Sequence, residues 1–138
     1  GVGLNRAQRF GFGFDEYRNW VDNSLIIIAQ IEHYDGINNI DEIITTKGLD
    51  GVFIGPYDLS GSLGIPGDFN NEKMISALSK VENACNNRKF TLGYHIIEPL
   101  AALIQDKVKI GYNFIAFSLD TLFLGEFARH QVSKFKNH

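Results

Sequence analysis

Two acidic residues close the two most apolar short runs of this 138-residue chain. Leu25-Ile-Ile-Ile-Ala-Gln-Ile31 runs directly into Glu32, and Gly51-Val-Phe-Ile54 is followed by Gly55-Pro56-Tyr57 and then Asp58. A strand that ends this way delivers its acid to the carboxyl edge of a parallel sheet, where α/β barrels and open α/β sheets assemble their ligand sites. Two carboxylates there supply hard oxygen donors suited to Mg2+ or Mn2+, with water and substrate oxygens completing the coordination. The same acids would equally serve as helix caps or lysine partners, and their spacing leaves both readings open. Gln30 lies on the same side of its strand as Glu32. It suits either a hydrogen bond to a bound ligand or polar filling of a barrel interior.

The turn after the second run offers a different chemistry. Gly55 and residues Tyr57 to Ser60 can present backbone N–H groups where a helix starts, and such a nest binds carboxylate or phosphate. Beside a divalent ion it would hold a 2-oxo acid; the alternative is an ordinary Gly-Pro turn. His95 falls within a third apolar run, where an imidazole lines a core or pocket more often than it acts as ligand or base. His33 follows Glu32 and is read as pointing elsewhere, while His130 and His138 read as surface residues on the last helix and tail. Asp120 closes a fourth run as Glu32 and Asp58 close theirs; it is a candidate to support the site's ligands from behind, with capping of the helix that follows the favoured role. Cys85 reads as a buried helical residue, and no Ser-His-Asp or Cys-His arrangement follows from these positions.

The elements that must position these groups follow from hydrophobic periodicity. Residues 1–13, with four glycines, read as an irregular segment, and Asp15–Asn23 as a short helix with Tyr17, Trp20 and Val21 on one face. Leu25–Ile31 reads as a strand covered on both faces, and Ile37, Ile40, Ile43 and Ile44 as the buried stripe of one helix over Gly36–Thr46. Gly51–Ile54 is the second strand, and Leu59–Asn71 a long loop holding one helical turn. Glu72–Arg88 is a helix with Met74, Ile75, Leu78, Val81 and Ala84 on one face. Phe90–Ile97 and Phe114–Leu119 are the third and fourth strands. Pro99–Lys109 reads as a helix with Pro99 in its first turn, and Thr121–Lys136 as a closing helix with Leu122, Phe123, Phe127, Ala128, Val132 and Phe135 on a broad apolar face. Strands alternating with helices define an α/β fold with a parallel sheet, either open and doubly wound or part of a barrel. A (β/α)8 TIM barrel typically takes about 250 residues, so four units make half of one and leave two edge strands without partners.

Totals narrow the function. With 44% apolar and 21% charged residues the composition is that of a globular domain. A net charge of −3 without a basic block argues against nucleic-acid binding, and no apolar run approaches the roughly 18 residues of a membrane span. A single cysteine precludes an internal disulfide and suits a reducing, cytoplasmic setting. The chain begins Gly-Val-Gly without methionine or a secretory signal pattern, as expected of a fragment or processed product.

Four motifs carry a resemblance: Gly-Val-Gly-Leu-x-Arg-Ala-Gln at the start, Gln-Ile-Glu at 30–32, Gly-Val-Phe-Ile-Gly-Pro-Tyr-Asp-Leu-Ser at 51–60, and Ile-Ala-Phe-Ser-Leu-Asp-Thr at 115–121. In order and spacing the chain resembles the HpcH/HpaI aldolases, metal-dependent pyruvate aldolases on a (β/α)8 barrel related more distantly to citrate lyase β subunits and malyl-CoA lyases. The resemblance implies that Glu32 and Asp58 bind the metal, that Gln30 lies in the substrate pocket, and that backbone from Gly55 through Tyr57 to Asp58 contacts the pyruvate carboxylate. It implies that the chain is the last four strand-helix units, 1–138 forming the carboxyl-terminal part of one barrel domain. The catalytic arginine and acid-base histidine of the family are then expected upstream of Gly1. Tyr94 and His95 stand where the family often has small or aliphatic pocket residues, so Tyr94 or His95 is expected to alter the aldehyde accepted, with His95 also a candidate polar contact to the substrate. The implied activity is cleavage of a 4-hydroxy-2-oxo acid to pyruvate and an aldehyde by a homo-oligomeric parent protein, the isolated segment being inactive. Alternatives are an acyl-CoA lyase, which would need a coenzyme A surface not evident here, and an inactive half-barrel serving as a binding or assembly unit.

Overall fold

A computed structural model describes residues 3–136; Gly1 and Val2 of the first motif, and the surface reading of His138, lie outside the described residues. Four strands, β1 (Ile28–Ile31), β2 (Gly51–Ile54), β3 (Thr91–Ile96) and β4 (Phe114–Phe117), form one sheet in the order β1-β2-β3-β4. All three pairings are parallel. The order never reverses, so each crossover steps one strand along in the same direction and places its helix on the same face. That decides between the two closures, because a doubly wound sheet reverses its order and carries helices on both faces.

The outer face carries the core. Ile31, Val52, Ile54, Leu92, Tyr94 and Ile96 alternate out of the strands and pack with Ile37, Ile40, Ile44, Leu59, Met74, Leu78, Val81 and Cys85 of the covering helices. Full burial of each aliphatic side chain here stabilises the fold by roughly 1.5–3 kcal/mol. The ion pairs, such as Arg129–Glu126, are exposed and contribute at most about 1 kcal/mol each. The main covering helix, α5 (Glu72–Arg88), is capped at its start by Asn71, whose side chain accepts from the Lys73 N–H, and is ended by Lys89 in the left-handed region. It buries Met74, Ala77, Leu78, Val81 and Cys85, whereas Ile75 points to solvent. At 100° per residue Ile75 stands off the stripe set by 74, 78, 81 and 85, so apolar character alone misplaced it.

Several expected elements change in length. β1 begins only at Ile28, and Leu25, Ile26 and Ile27 are exposed. β1 has a neighbour on one side only, so its apolar approach has no second strand to register against. The single helix expected over 36–46 is two short ones, α2 (Tyr34–Asn38) and α3 (Ile40–Ile43), because Asn39 leaves helical geometry at φ −102°, ψ 17°. The turn after β2 is itself the start of α4 (Pro56–Ser62), with Pro56 in the first turn, which shortens the expected loop. Pro99 is not in a helix: α6 (Ala101–Ile110) starts after an extended Leu100. The segment before α1 (Phe14–Ser24) forms a kinked 3-10 turn, Arg6–Gly11, in which Arg9 and Phe10 take left-handed backbone angles. The closing helix α7 (Asp120–Lys136) leaves its apolar face largely exposed.

Cys85 is fully buried, and its thiol is pushed up to about 11 by desolvation first and by Asp41 second. Native alkylation by iodoacetamide at pH 8 is therefore expected to run at least about 10-fold slower than in the urea-unfolded chain, because burial suppresses the thiolate; equal rates would show an accessible thiol. At Gly93 a Cβ would lie 2.5 Å from Phe53 Cδ2 and 3.1 Å from the Phe114 carbonyl oxygen. Gly93→Ala is expected to cost about 1–3 kcal/mol by overpacking, with part of the loss recovered by adding Phe53→Ala, as read from urea midpoints.

Candidate functional site at the carboxyl edge of the sheet

The inner face of the sheet, opposite the helices, is set by the same alternation. Its rows are Ile28, Gln30 and Glu32 along β1, Gly51, Phe53 and Gly55 along β2, Thr91, Gly93 and His95 along β3, and Phe114, Ala116 and Ser118 along β4. The polar groups gather at the carboxyl end and the aromatic ones below them.

Gln30, Glu32 and Gly55 are brought together there. Gln30 Nε2 donates to Glu32 Oε1 at 2.7 Å. A Cβ at Gly55 would fall 2.7 Å from Glu32 Oε1, 2.9 Å from its Cγ and 3.1 Å from Gln30 Nε2. The Glu32 side chain is thus seated against bare backbone, a close approach that glycine permits. One carboxylate oxygen is held by the glutamine amide and the other is left with acceptor capacity. Gly55 is also the residue from which α4 departs, so Tyr57 and Asp58 occupy its first turn, both exposed. Asp58 makes no hydrogen bond or ion pair among the described residues. This set of oxygen donors, one seated carboxylate at the end of β1 and one free carboxylate in the first turn of α4, fits the one or two protein ligands that Mg2+ characteristically takes. Among the described residues no group of three or more His, Cys, Asp or Glu side chains comes together as a metal centre.

The backbone nest is short. Tyr57 turns its ring edge-on to Phe69, with centroids 4.9 Å apart, and Ser60 is buried beneath it. Ser60 Oγ donates to the Tyr57 carbonyl at 2.7 Å and accepts from the Gly67 N–H at 2.9 Å. These bonds tie the first turn of α4 to the loop before α5, a fixation that the residue types did not announce.

His95 is separated from Gln30 and Glu32 by the width of β2. It is half-buried on the inner face, 6.4 Å from Phe53 between ring centroids, and its Nε2 lies 3.4 Å from the Ser118 carbonyl oxygen. Ser118 escaped the sequence reading. It is buried at the end of β4 with a positive φ of 56°, its N–H bonded to the Ile96 carbonyl and its hydroxyl to the Ile97 carbonyl. A non-glycine residue so held costs of order 1–3 kcal/mol unless its surroundings over-determine it, and these two bonds do so. No local sequence signal marks that conformation.

The remaining candidates resolve into structure. His33 accepts from the Asp35 N–H and caps α2. Asp120 accepts from the Thr121 N–H at 2.7 Å, in keeping with a role at the start of α7. On the helix side a cavity of about 460 Å³ is lined by Pro56, Phe69, Tyr94, Leu103 and Lys107 among others. Lys107 Nζ sits 3.8 Å over the Tyr94 ring. Burial lowers the Lys107 amine against an opposing pull from Glu82, and burial raises the Tyr94 phenol to about 12, with Glu98 and Glu82 adding to it.

A helix-covered, singly wound parallel sheet defines an α/β-barrel architecture, here with four strands of the eight. Residues 6–123 match the sequence profile of HpcH/HpaI aldolase/citrate lyase, and the chain belongs to that family. It is 31% identical over 137 residues to a 2-keto-3-deoxy-L-rhamnonate aldolase of Escherichia coli O6:K15:H31 (strain 536 / UPEC), aligning 99% of this chain with 50% of that protein. It superposes on a HpcH/HpaI aldolase/citrate lyase family protein from Burkholderia cenocepacia J2315 with a TM-score of 0.83 at 26% identity, covering 99% of this chain and 52% of that one. On the HpcH/HpaI aldolase from Desulfitobacterium hafniense DCB-2 the TM-score is 0.82 at 27% identity, covering 100% and 53%. The chain spans about half the length of the relatives it matches, and its fold is half of the TIM barrel.

Because Asp58 is exposed and unpaired among the described residues, its charge does little for the fold. Asp58→Asn is expected to shift stability by less than about 1 kcal/mol, the scale of an acid in the first turn of a helix, as read from the urea midpoint. A loss several times larger would show a structural role.

Proposed function

We propose that this chain is the carboxyl-terminal half of a metal-dependent aldolase, whose complete protein cleaves a 4-hydroxy-2-oxo acid to pyruvate and an aldehyde. The observation that carries the reading is the Glu32 carboxylate, seated on the Gly55 backbone and held by the Gln30 amide, one strand away from the unpaired Asp58. Glu32 and Asp58 are the residues that would hold Mg2+ or Mn2+. The chemistry such an ion supplies is Lewis-acid polarisation of the keto oxygen of the 2-oxo acid.

The protein's own groups have separate tasks. Gln30 fixes the rotamer of Glu32 and keeps an N–H available beside the substrate's keto group. Backbone N–H groups from Tyr57 to Asp58, at the exposed start of α4, receive the pyruvate carboxylate. His95 and Phe53 wall the pocket on the side where the aldehyde leaves. Cleavage needs a base to take the 4-hydroxyl proton; the C4 carbonyl then forms as the C3–C4 bond breaks and its electron pair passes to the pyruvate fragment, which is protonated at C3. No residue of this segment is assigned as that base, and the proton-transfer groups are assigned to the other half of the barrel. A reducing cytoplasmic setting accords with the lone buried Cys85, and no helix among the described residues is long and apolar enough to cross a membrane.

A coupled pyruvate-release assay on the complete parent protein tests the reading. With a panel of 4-hydroxy-2-oxo acids, activity is expected to require Mg2+ or Mn2+ and to vanish with chelator. Glu32→Gln and Asp58→Asn should each lose at least about 100-fold, and Gln30→Ala about 10–100-fold in metal affinity, the range for residues that orient a ligand. The 138-residue chain alone should release none. Turnover that survives chelator, or robust pyruvate release by the isolated chain, overturns the proposal.

A further inference from the structure

On the helix side of the sheet one lysine is turned inward. Lys107 of α6 is half-buried, whereas Lys73, Lys80, Lys89 and Lys109 are exposed. Its Nζ lies 3.8 Å over the centroid of the Tyr94 ring and 5.0 Å over that of Tyr112. It makes no hydrogen bond or ion pair among the described residues. A lysine on a helix surface ordinarily carries its amine out to water. Here the amine rests on two ring faces, which attract a cation but accept none of the hydrogen bonds that its three N–H groups can donate.

Beside this amine lies the cavity of about 460 Å³ that it helps to line, a volume within the range of small-molecule sites, about 300–1,000 Å³. Phe69, Leu78, Leu103 and Ile110 supply apolar wall. Every wall belongs to α4, the loop before α5, α5, β3 with the turn after it, or α6. The cavity is therefore formed within this chain and owes nothing to what pairs with β1 or β4. The charges around it select against an anion. Glu98 lines the same space, Glu82 of α5 acts on the amine from the other side, and the Asp106 carboxylate is taken by Lys109 Nζ at 3.2 Å. A neutral carbonyl compound meets no such repulsion. Burial, the largest influence on Lys107, lowers its affinity for a proton against the opposing pull of Glu82, and a desolvated lysine is a better nucleophile at neutral pH than an exposed one.

We propose that Lys107 is a carbonyl-reactive amine, and that the cavity beside it admits a small apolar aldehyde which Lys107 captures as an imine. The Nζ lone pair attacks the carbonyl carbon, and the π pair of the C=O bond passes to oxygen, which takes up a proton as the nitrogen loses one. Water then leaves as the C=N bond forms. One amine and one aldehyde give one imine and one water, with no change in oxidation state. The protonated imine carries the same charge as the ammonium it replaces, so the Tyr94 and Tyr112 faces hold it in the same place. The alkyl part of the aldehyde lies against Phe69 and Leu103. This site is on the outer face and is independent of the aldolase reading, so neither stands or falls with the other.

The complete protein, treated at pH 7 with butanal and cyanoborohydride, tests the inference, because reduction converts an imine to a stable secondary amine that peptide mass spectrometry assigns to its lysine. Lys107 is expected to be labelled at least about 10-fold faster than the exposed Lys89 and Lys109, because burial keeps more of its amine as free base. In unfolding urea the three rates should converge. Leu103→Phe, which adds volume at a half-buried wall, should slow labelling of Lys107 while Lys89 and Lys109 react as before. Native labelling of Lys107 no faster than that of the exposed lysines, a rate advantage that survives urea, or undiminished labelling in folded Leu103→Phe overturns the proposal.

Discussion

The structure depends on one constraint: along each of four parallel strands, successive side chains leave on opposite faces, and the two faces meet different environments. Outward positions find helices, and Ile31, Val52, Ile54, Leu92, Tyr94 and Ile96 are buried to within a few per cent. Inward positions line the concave interior of the half-barrel, and there the chain places Gln30, Glu32, Phe53, His95 and Phe114. Because hydrophobic burial supplies most of the folding free energy, the outer face holds the molecule together, and the inner face is released from that duty to carry polar groups and bare glycines.

That division explains why the glycines of the strands sit where they do. Gly93 makes room for Phe53 and Phe114 to meet, and Gly55 lets the Glu32 carboxylate rest against main chain. Neither residue is needed for a turn at that point. Both trade side-chain volume for close approach, one to build an apolar layer and the other to seat an acid. The rim is then stiffened from outside the sheet, by Ser60 bridging the start of α4 to Gly67 and by Ser118 bridging the end of β4 to the end of β3. Loops at a barrel rim carry the chemistry while the scaffold holds them, and here two buried hydroxyls do much of the holding.

Much of this was legible in the residues. The four strand-helix units, their parallel arrangement and the placing of Glu32 at the end of β1 follow from apolar runs and helical periodicity, which are local signals, whereas Asp58 falls inside the first turn of α4. The stripe of α5 was legible except for Ile75, whose apolar character could not by itself reveal which side of the helix met the sheet. The early start assigned to β1 failed for a related reason, since Leu25 to Ile27 have strand-like residue types but precede the start of β2, and of the three only Ile27 bonds across, to Asp50. Pro99 and the 36–46 helix failed on backbone geometry at Leu100 and Asn39, single residues whose angles no pattern fixes.

By itself the sequence determined the succession of elements, the alternation within each strand and therefore which acids emerge at the carboxyl edge, because these depend on periodicities of two and 3.6 residues. Only the tertiary structure decided that the strand order never reverses, that the crossover helices cover the same face, and that Gln30, Glu32 and Gly55 come together while His95 stands a strand's width away. Those are matters of register and crossover between segments tens of residues apart, set by how the helices pack and not by any short stretch of chain. For the same reason the sequence could nominate two carboxylates for one task, while only the folded sheet distinguished the one seated on backbone from the one left free.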